Sequence, residues 1–324
     1  MGRYCLFTRW VFFAAILASI AAGATDSVVS RTPFGQPNIQ GTWSAVSLTP
    51  LERPPQVPAL NLTEAQAQTM VQMVLKFMPD NIDPQFGWEN PRHLNKVGDN
   101  YRSSVVIKPE NGLIPFSDKG LKWVAWSKYR DENLFSHPEQ LQKFDRCLSG
   151  FGMPPIRMFP IHIPHYIVQT PEHVLIYTED PSGARIIALK ETANPDSLRT
   201  WHGHSVGRWQ GNTLTVETTH FRADSPERFV LGRVVLIGAN GKVTERFTPT
   251  SPREILYQFT VEDPDYYTQA WSGEMTFTRT DVPIFEYSCH EGNLALEGMM
   301  RGNQLQQAQR RQQGIAVPPE PLRD

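Results

Sequence analysis

The chain has 324 residues, with 31 Lys and Arg against 33 Asp and Glu, and 40% of it is hydrophobic. A net charge of −2 without any basic cluster offers nothing to hold a phosphate backbone, so nucleic acid is not an expected partner. The apolar content is enough for a full core, and one main domain with extensions is expected.

Residues 1–24 read as a signal peptide. Arg3 and Arg9 precede the apolar run Val11-Phe-Phe-Ala-Ala-Ile-Leu-Ala, and Ala22-Gly-Ala24 offers small residues for cleavage. The run is too short to span a bilayer and nothing later approaches that length, so no integral span is expected after signal removal. A periplasmic or secreted location follows, with retention of the segment as an anchor as the alternative. Loss of Cys5 leaves Cys147 and Cys289, which an oxidising compartment favours as a disulfide; two separate buried thiols are the alternative.

Residues 25–160 form an N-terminal extension of helix and loops packing on a β domain. Residues 31–60 are proline-rich, with one extended piece at 39–46. Asn61-Leu-Thr-Glu64 supplies a cap and an early glutamate for a helix over 65–77. Residues 78–104 read as irregular, and 117–146 as a loop with helical turns at 121–129 and 138–144.

Residues 161–296 form the β domain. Short alternating runs rich in Val, Ile, Thr and Tyr recur at 165–169, 174–178, 185–189, 205–210, 213–219, 233–237, 242–248, 254–261 and 273–278. Short turns with no helical pattern between them predict a mainly β protein, an antiparallel meander closing into a lipocalin-like barrel or sandwich. Residues 297–324 form a C-terminal helix to about residue 313 and a proline-rich tail.

Two stretches carry candidate chemistry. In the first, Gly211-Asn212 is a two-residue turn that pairs Gln210 with Thr213, and so His204 with Thr219 and Val206 with Glu217. Alternation then puts His202, His204, Arg208, Thr215 and Glu217 on one face, Trp209, Gly207, Leu214 and Val216 on the other, and His220 away from His204. The shared histidine face has three readings: a polar wall facing a ligand, a hydrated surface, or two ligands of a zinc ion that lacks an evident third. The second stretch is Glu286-Tyr-Ser-Cys-His-Glu-Gly-Asn293, where His290 beside Glu291 can move protons near neutral pH if a turn brings both to one cavity. Its alternative is structural, with Glu291 closing the barrel by hydrogen bonds. Within 242–248, one of Glu245 and Arg246 must lie inside a closed sheet, paired or facing ligand.

The chain resembles a large family of secreted bacterial proteins. The resemblance rests on Ile39-Gln-Gly-Thr-Trp43, Thr49-Pro-Leu-Glu-Arg-Pro54, Tyr166-Ile-Val-Gln-Thr-Pro171, Ala184-Arg-Ile-Ile187, Ser205-Val-Gly-Arg-Trp-Gln-Gly-Asn-Thr-Leu214, Glu245-Arg-Phe-Thr248, Thr260-Val-Glu-Asp-Pro264 with Tyr267-Thr268 and Trp271, and the run ending at Asn293. It covers most of residues 37–293 and implies no particular activity. In that family Met often stands at the position of His202 and Asp at that of His204, which argues against a shared zinc site there, whereas the Cys-His-Glu-Gly-Asn run recurs. Separately, Gly41-Thr-Trp43 resembles the Gly-x-Trp of lipocalins.

No nucleophile elbow, phosphate loop, dinucleotide fingerprint or His-Glu-x-x-His helix is present, so no cofactor and no metal are assigned. The leading expectation is a small-molecule enzyme, a lyase, hydratase, isomerase or cyclase working by metal-independent acid/base chemistry in a barrel cavity. His290 and His204 would transfer protons, Glu291 would orient, and His202, Arg208, Tyr166 and Trp209 would contact the ligand. The alternatives are a binding protein without catalysis and a metallohydrolase using His202 and His204.

Overall fold

A computed structural model describes residues 29–76, 92–132, 137–158, 160–181, 183–190, 195, 197–224, 226–230 and 233–316. The signal peptide expected at 1–24 and the proline-rich tail from 317 lie outside these residues. The elements in chain order are β1 (Gly41–Ser44), β2 (Asn61–Leu62), α1 (Glu64–Leu75), β3 (Lys96–Val97), β4 (Asn100–Arg102), β5 (Val106–Lys108) and α2 (Asp118–Glu132). There follow β6 (His165–Gln169), β7 (His173–Thr178), β8 (Ala184–Ala188), β9 (His204–Gln210), β10 (Thr213–Thr219), β11 (Glu227–Val230) and β12 (Arg233–Leu236). The last are β13 (Lys242–Ser251), β14 (Glu254–Glu262), β15 (Trp271–Arg279) and α3 (Ala295–Gln312).

Nine strands close a mixed β-barrel in the order β1-β6-β7-β8-β9-β10-β13-β14-β15, with β1 returning to pair with β15. The expected meander is corrected in two places. β8 and β9 run parallel, pairing Ile187 with Ser205 and Ala188 with Val206, because residues 189–203 join them by a connection far longer than a hairpin turn. β12, expected as a barrel strand, pairs instead with β11 in a separate two-stranded ribbon. The N-terminal extension also does more than pack on the barrel. Its β1 closes the ring, pairing Trp43 with Arg279 on one side and with His165 on the other, while β5 pairs with the opposite end of β15.

Strand alternation fills the interior. On β14, Ile255, Tyr257, Phe259 and Val261 are buried, while Leu256, Gln258 and Thr260 between them are partly exposed. Tyr257 stacks on Phe277 with ring centroids 5.1 Å apart, and Phe277 stacks on His165 at 5.7 Å, so one aromatic column crosses the barrel. Burying an apolar side chain such as Ile255 or Phe277 stabilises the fold by about 1.5–3 kcal/mol.

α1 begins with a capping box in which the Thr63 hydroxyl receives the Gln66 N–H and Gln66 reaches back to the Thr63 N–H. It buries Ala67, Met70 and Val71 against Leu48, Leu62 and Leu94, a small core beside the barrel. Residues 118–132, expected as a loop with helical turns, form a continuous helix. Its buried positions include Trp126, Ser127 and Arg130, and the last two hydrogen-bond the Glu227 carboxylate at 2.8 and 2.6 Å. α3 is mostly exposed, with Asn303 its one buried residue. The stretch 78–104 carries the short strands β3 and β4 where irregular structure was expected, although 77–91 lie outside the described residues.

Candidate functional site

The β9–β10 hairpin has the register its turn predicts: Gln210 pairs with Thr213, His204 with Thr219 and Val206 with Glu217. Ser205 and Gly207 are buried on the barrel side, so His204 and Arg208 stand on the outer face with Thr215, Glu217 and Thr219, around a shallow hollow of about 200 Å³. The polar wall expected to face an interior ligand therefore faces outward. His220 is corrected as well. Its ring centroid lies 6.1 Å from that of His204 although the register holds, because His220 takes a left-handed backbone (φ 59°) that ends the alternation.

His202 does not share the His204 face. Gly203 between them has φ +70°, which breaks the strand pattern and turns His202 in towards Arg185, Arg228 and Arg157. Burial, reinforced by those three cations, lowers its pKa to about 3, and its shielded Nε2 has no hydrogen-bond partner among the described residues. The two histidines thus lack the common face a shared metal needs. Among the described residues no group of three or more His, Cys, Asp or Glu is arranged around a metal position.

The other expected site residues are scattered. Tyr166 is exposed on the outer face of β6, opposite Tyr177. Trp209 points inward and packs against the main core, with its Nε1 shielded and unpartnered among the described residues. His290 and Glu291 are exposed on a turn after β15, where the Glu291 N–H donates to the Ser288 carbonyl at 3.2 Å. Exposure removes the cavity their proposed chemistry required, and no described contact joins either of them to His204. The adjacent cysteine does pair as expected: Cys147 and Cys289 form a disulfide with a Cα–Cα distance of 5.7 Å.

Sequence reasoning missed a predominantly apolar cavity of about 210 Å³. Phe259 and Met275 of the barrel interior, with Val105 and Ile156, form its apolar depth, and Leu48, Pro50 and Leu51 line the side made by the N-terminal extension. Ser47 and Thr49 also line it, but their hydroxyls already bond each other at 3.1 Å. Apart from the strand residues Phe259 and Met275, the residues just named come from loop segments without periodicity, which hid the cavity. The one available signal was Thr49-Pro-Leu within the family-like motifs.

Next to this cavity lies a buried polar network. Arg185 and Glu245 form an ion pair inside the barrel, and Arg185 also donates to the hydroxyls of Ser205 and Thr218. Of the two adjacent charges on β13, Glu245 is the inner one. Tyr257 donates its hydroxyl hydrogen to Glu245 at 2.7 Å and accepts the Ile156 N–H at 2.8 Å, linking the ion pair to the cavity wall. Burial, followed by the Glu245 charge, pushes the Tyr257 phenol well above its ordinary pKa.

Arg157 also lines the cavity. It is 5% exposed, and its Nη2 donates to the Gly150 carbonyl at 2.9 Å. Its Nε and Nη1 are shielded and have no partner among the described residues. Burial first, then repulsion from Arg228, lowers its pKa to about 9. No protein-family model and no curated protein matches the chain.

Proposed function

We propose that this is a small-molecule-binding protein whose ligand occupies the cavity between the barrel interior and the loop at 47–51. The observation carrying this reading is the cavity itself: about 210 Å³, apolar in depth, and bordered by one buried cation. Apolar concavities with few polar groups are the usual form of small-ligand sites. The resemblance to secreted bacterial proteins and the Cys147–Cys289 disulfide support a periplasmic or secreted setting, where such a bond persists. No described helix is long and apolar enough to cross a membrane.

The test is fluorescence titration with the neutral probe N-phenyl-1-naphthylamine, with native mass spectrometry of the purified protein to find any retained compound. Saturable binding that is lost in Leu51→Trp, which fills the cavity from its edge, is the expected result. A wild-type protein with no saturable binding and no retained compound overturns the reading.

Acid/base catalysis, the leading expectation from sequence, has one supporting observation. His204, His220, Glu217 and Arg208 gather at the outer hollow of β9 and β10, which moves the reaction outside the barrel and leaves His290 and Glu291 out of it. Turnover of a retained compound by the wild type but not by His204→Gln would favour this reading.

A further inference from the structure

Apart from Ser47 and Thr49, whose hydroxyls bond each other, the cavity has one polar side chain on its wall, Arg157, and it is short of partners. A guanidinium carries five N–H donors, and burying them unpaired is costly in a medium that screens charge poorly. In Arg157 one nitrogen is satisfied by the Gly150 carbonyl, while Nε and Nη1 have no described partner. The neighbourhood adds to the deficit, because Arg228 repels Arg157, with Asp180 opposing it.

Resting on the cavity reading above, we propose that the ligand is an apolar carboxylic acid whose body lies against Phe259, Met275 and Val105 and whose carboxylate pairs with Arg157. The two open nitrogens are shielded from solvent, so pairing requires the long Arg157 side chain to turn towards the cavity that it helps to line. A carboxylate supplies acceptors for both donors and a counter-charge for the buried cation on the cavity wall. A phosphate monoester fits less well, since its second negative charge would be left among apolar side chains. A neutral alcohol of the same length would fill the cavity and leave the charge as it stands.

The experiment is isothermal titration calorimetry of the full-length protein with octanoate and with 1-octanol, repeated on Arg157→Met. Octanoate is expected to bind the wild type at least tenfold more tightly than 1-octanol. In Arg157→Met its affinity is expected to fall to that of the alcohol while 1-octanol binding holds. The wild-type comparison needs no variant and decides the matter even if Arg157→Met fails to fold. Equal or weaker binding of octanoate than of 1-octanol overturns the carboxylate assignment and leaves the cavity reading standing. If neither compound binds, and N-phenyl-1-naphthylamine also fails to bind, both readings fall together.

Discussion

The guanidinium of Arg185 on β8 meets the carboxylate of Glu245 on β13 across the barrel interior, and both side chains are almost completely buried. Each therefore offsets the cost of burying the other's charge. Arg185→Met is expected to cost about 3–5 kcal/mol in urea unfolding, since it leaves Glu245 as an unpaired buried anion. Replacing both residues by Met is expected to recover at least half of that loss. A single variant within about 1 kcal/mol of wild type would show that the pair does not hold the strands together.

Acid is expected to destabilise the protein through His165. Its ring shares a hydrogen bond with Thr178 at 2.9 Å, and burial, then the nearby His162, lowers its pKa from 6.5 to about 3. The folded state holds His165 neutral where the unfolded chain takes up a proton. Stability is thus fully present above pH 6.5 and is lost as pH falls towards 3, by about 1.4 kcal/mol per pH unit. His202 acts in the same direction. Chemical denaturation of wild type and His165→Gln between pH 7 and 4 is the check, and parallel pH dependences in the two proteins would refute the assignment.

Gly203 and Gly211 both have positive φ, yet replacing them should not cost the same. At Gly211 a methyl group meets nothing within 4 Å, so Gly211→Ala pays only for the left-handed backbone, about 1–2 kcal/mol. At Gly203 the added carbon would lie 2.4 Å from the Thr219 carbonyl oxygen, which belongs to the paired backbone and cannot step aside cheaply. Gly203→Ala should exceed Gly211→Ala in thermal destabilisation and should disturb the NMR signals of both His202 and His204. Equal melting temperatures would argue against the tight turn.

Breaking the Cys147–Cys289 bond opens a covalent loop of 142 residues. Loop-closure entropy assigns about 5 kcal/mol to a cross-link of that span. Cys147→Ser with Cys289→Ser is expected to shift the urea midpoint downward by a corresponding amount, and reduction of the wild type should reproduce the shift. An unchanged midpoint would mean that native packing alone keeps the turn at 289–293 in place. His290→Gln, on an exposed side chain of that turn, is expected to stay within about 0.5 kcal/mol of wild type.

The strands were legible because their alternation is regular: β6 and β10 match their expected bounds, and Gly211-Asn212 was enough to set the β9–β10 register. α2 was obscured because the face it buries includes Ser127 and Arg130, which are held by Glu227 on a distant ribbon rather than by apolar contact. The site was less legible than the fold. Alternation correctly grouped His204 with Arg208 but could not say which face was inside, and a single left-handed residue on either side of the hairpin, Gly203 or His220, moved a histidine to the other environment. The cavity forms where loops near residues 50, 105 and 157 meet Phe259 and Met275 of the barrel, a meeting no local pattern announces.

Closure of the ring by β1 also bears on how the chain folds. Pairing of Trp43 with Arg279 joins positions roughly 235 residues apart, a contact that loop entropy makes slow to form. The hairpins from β13 to β15 need only local contacts and can assemble first, leaving the β1 seam to zip up as a late kinetic event. With so few β1–β15 pairs to break, that seam is also where amide hydrogen exchange should first report opening of the barrel.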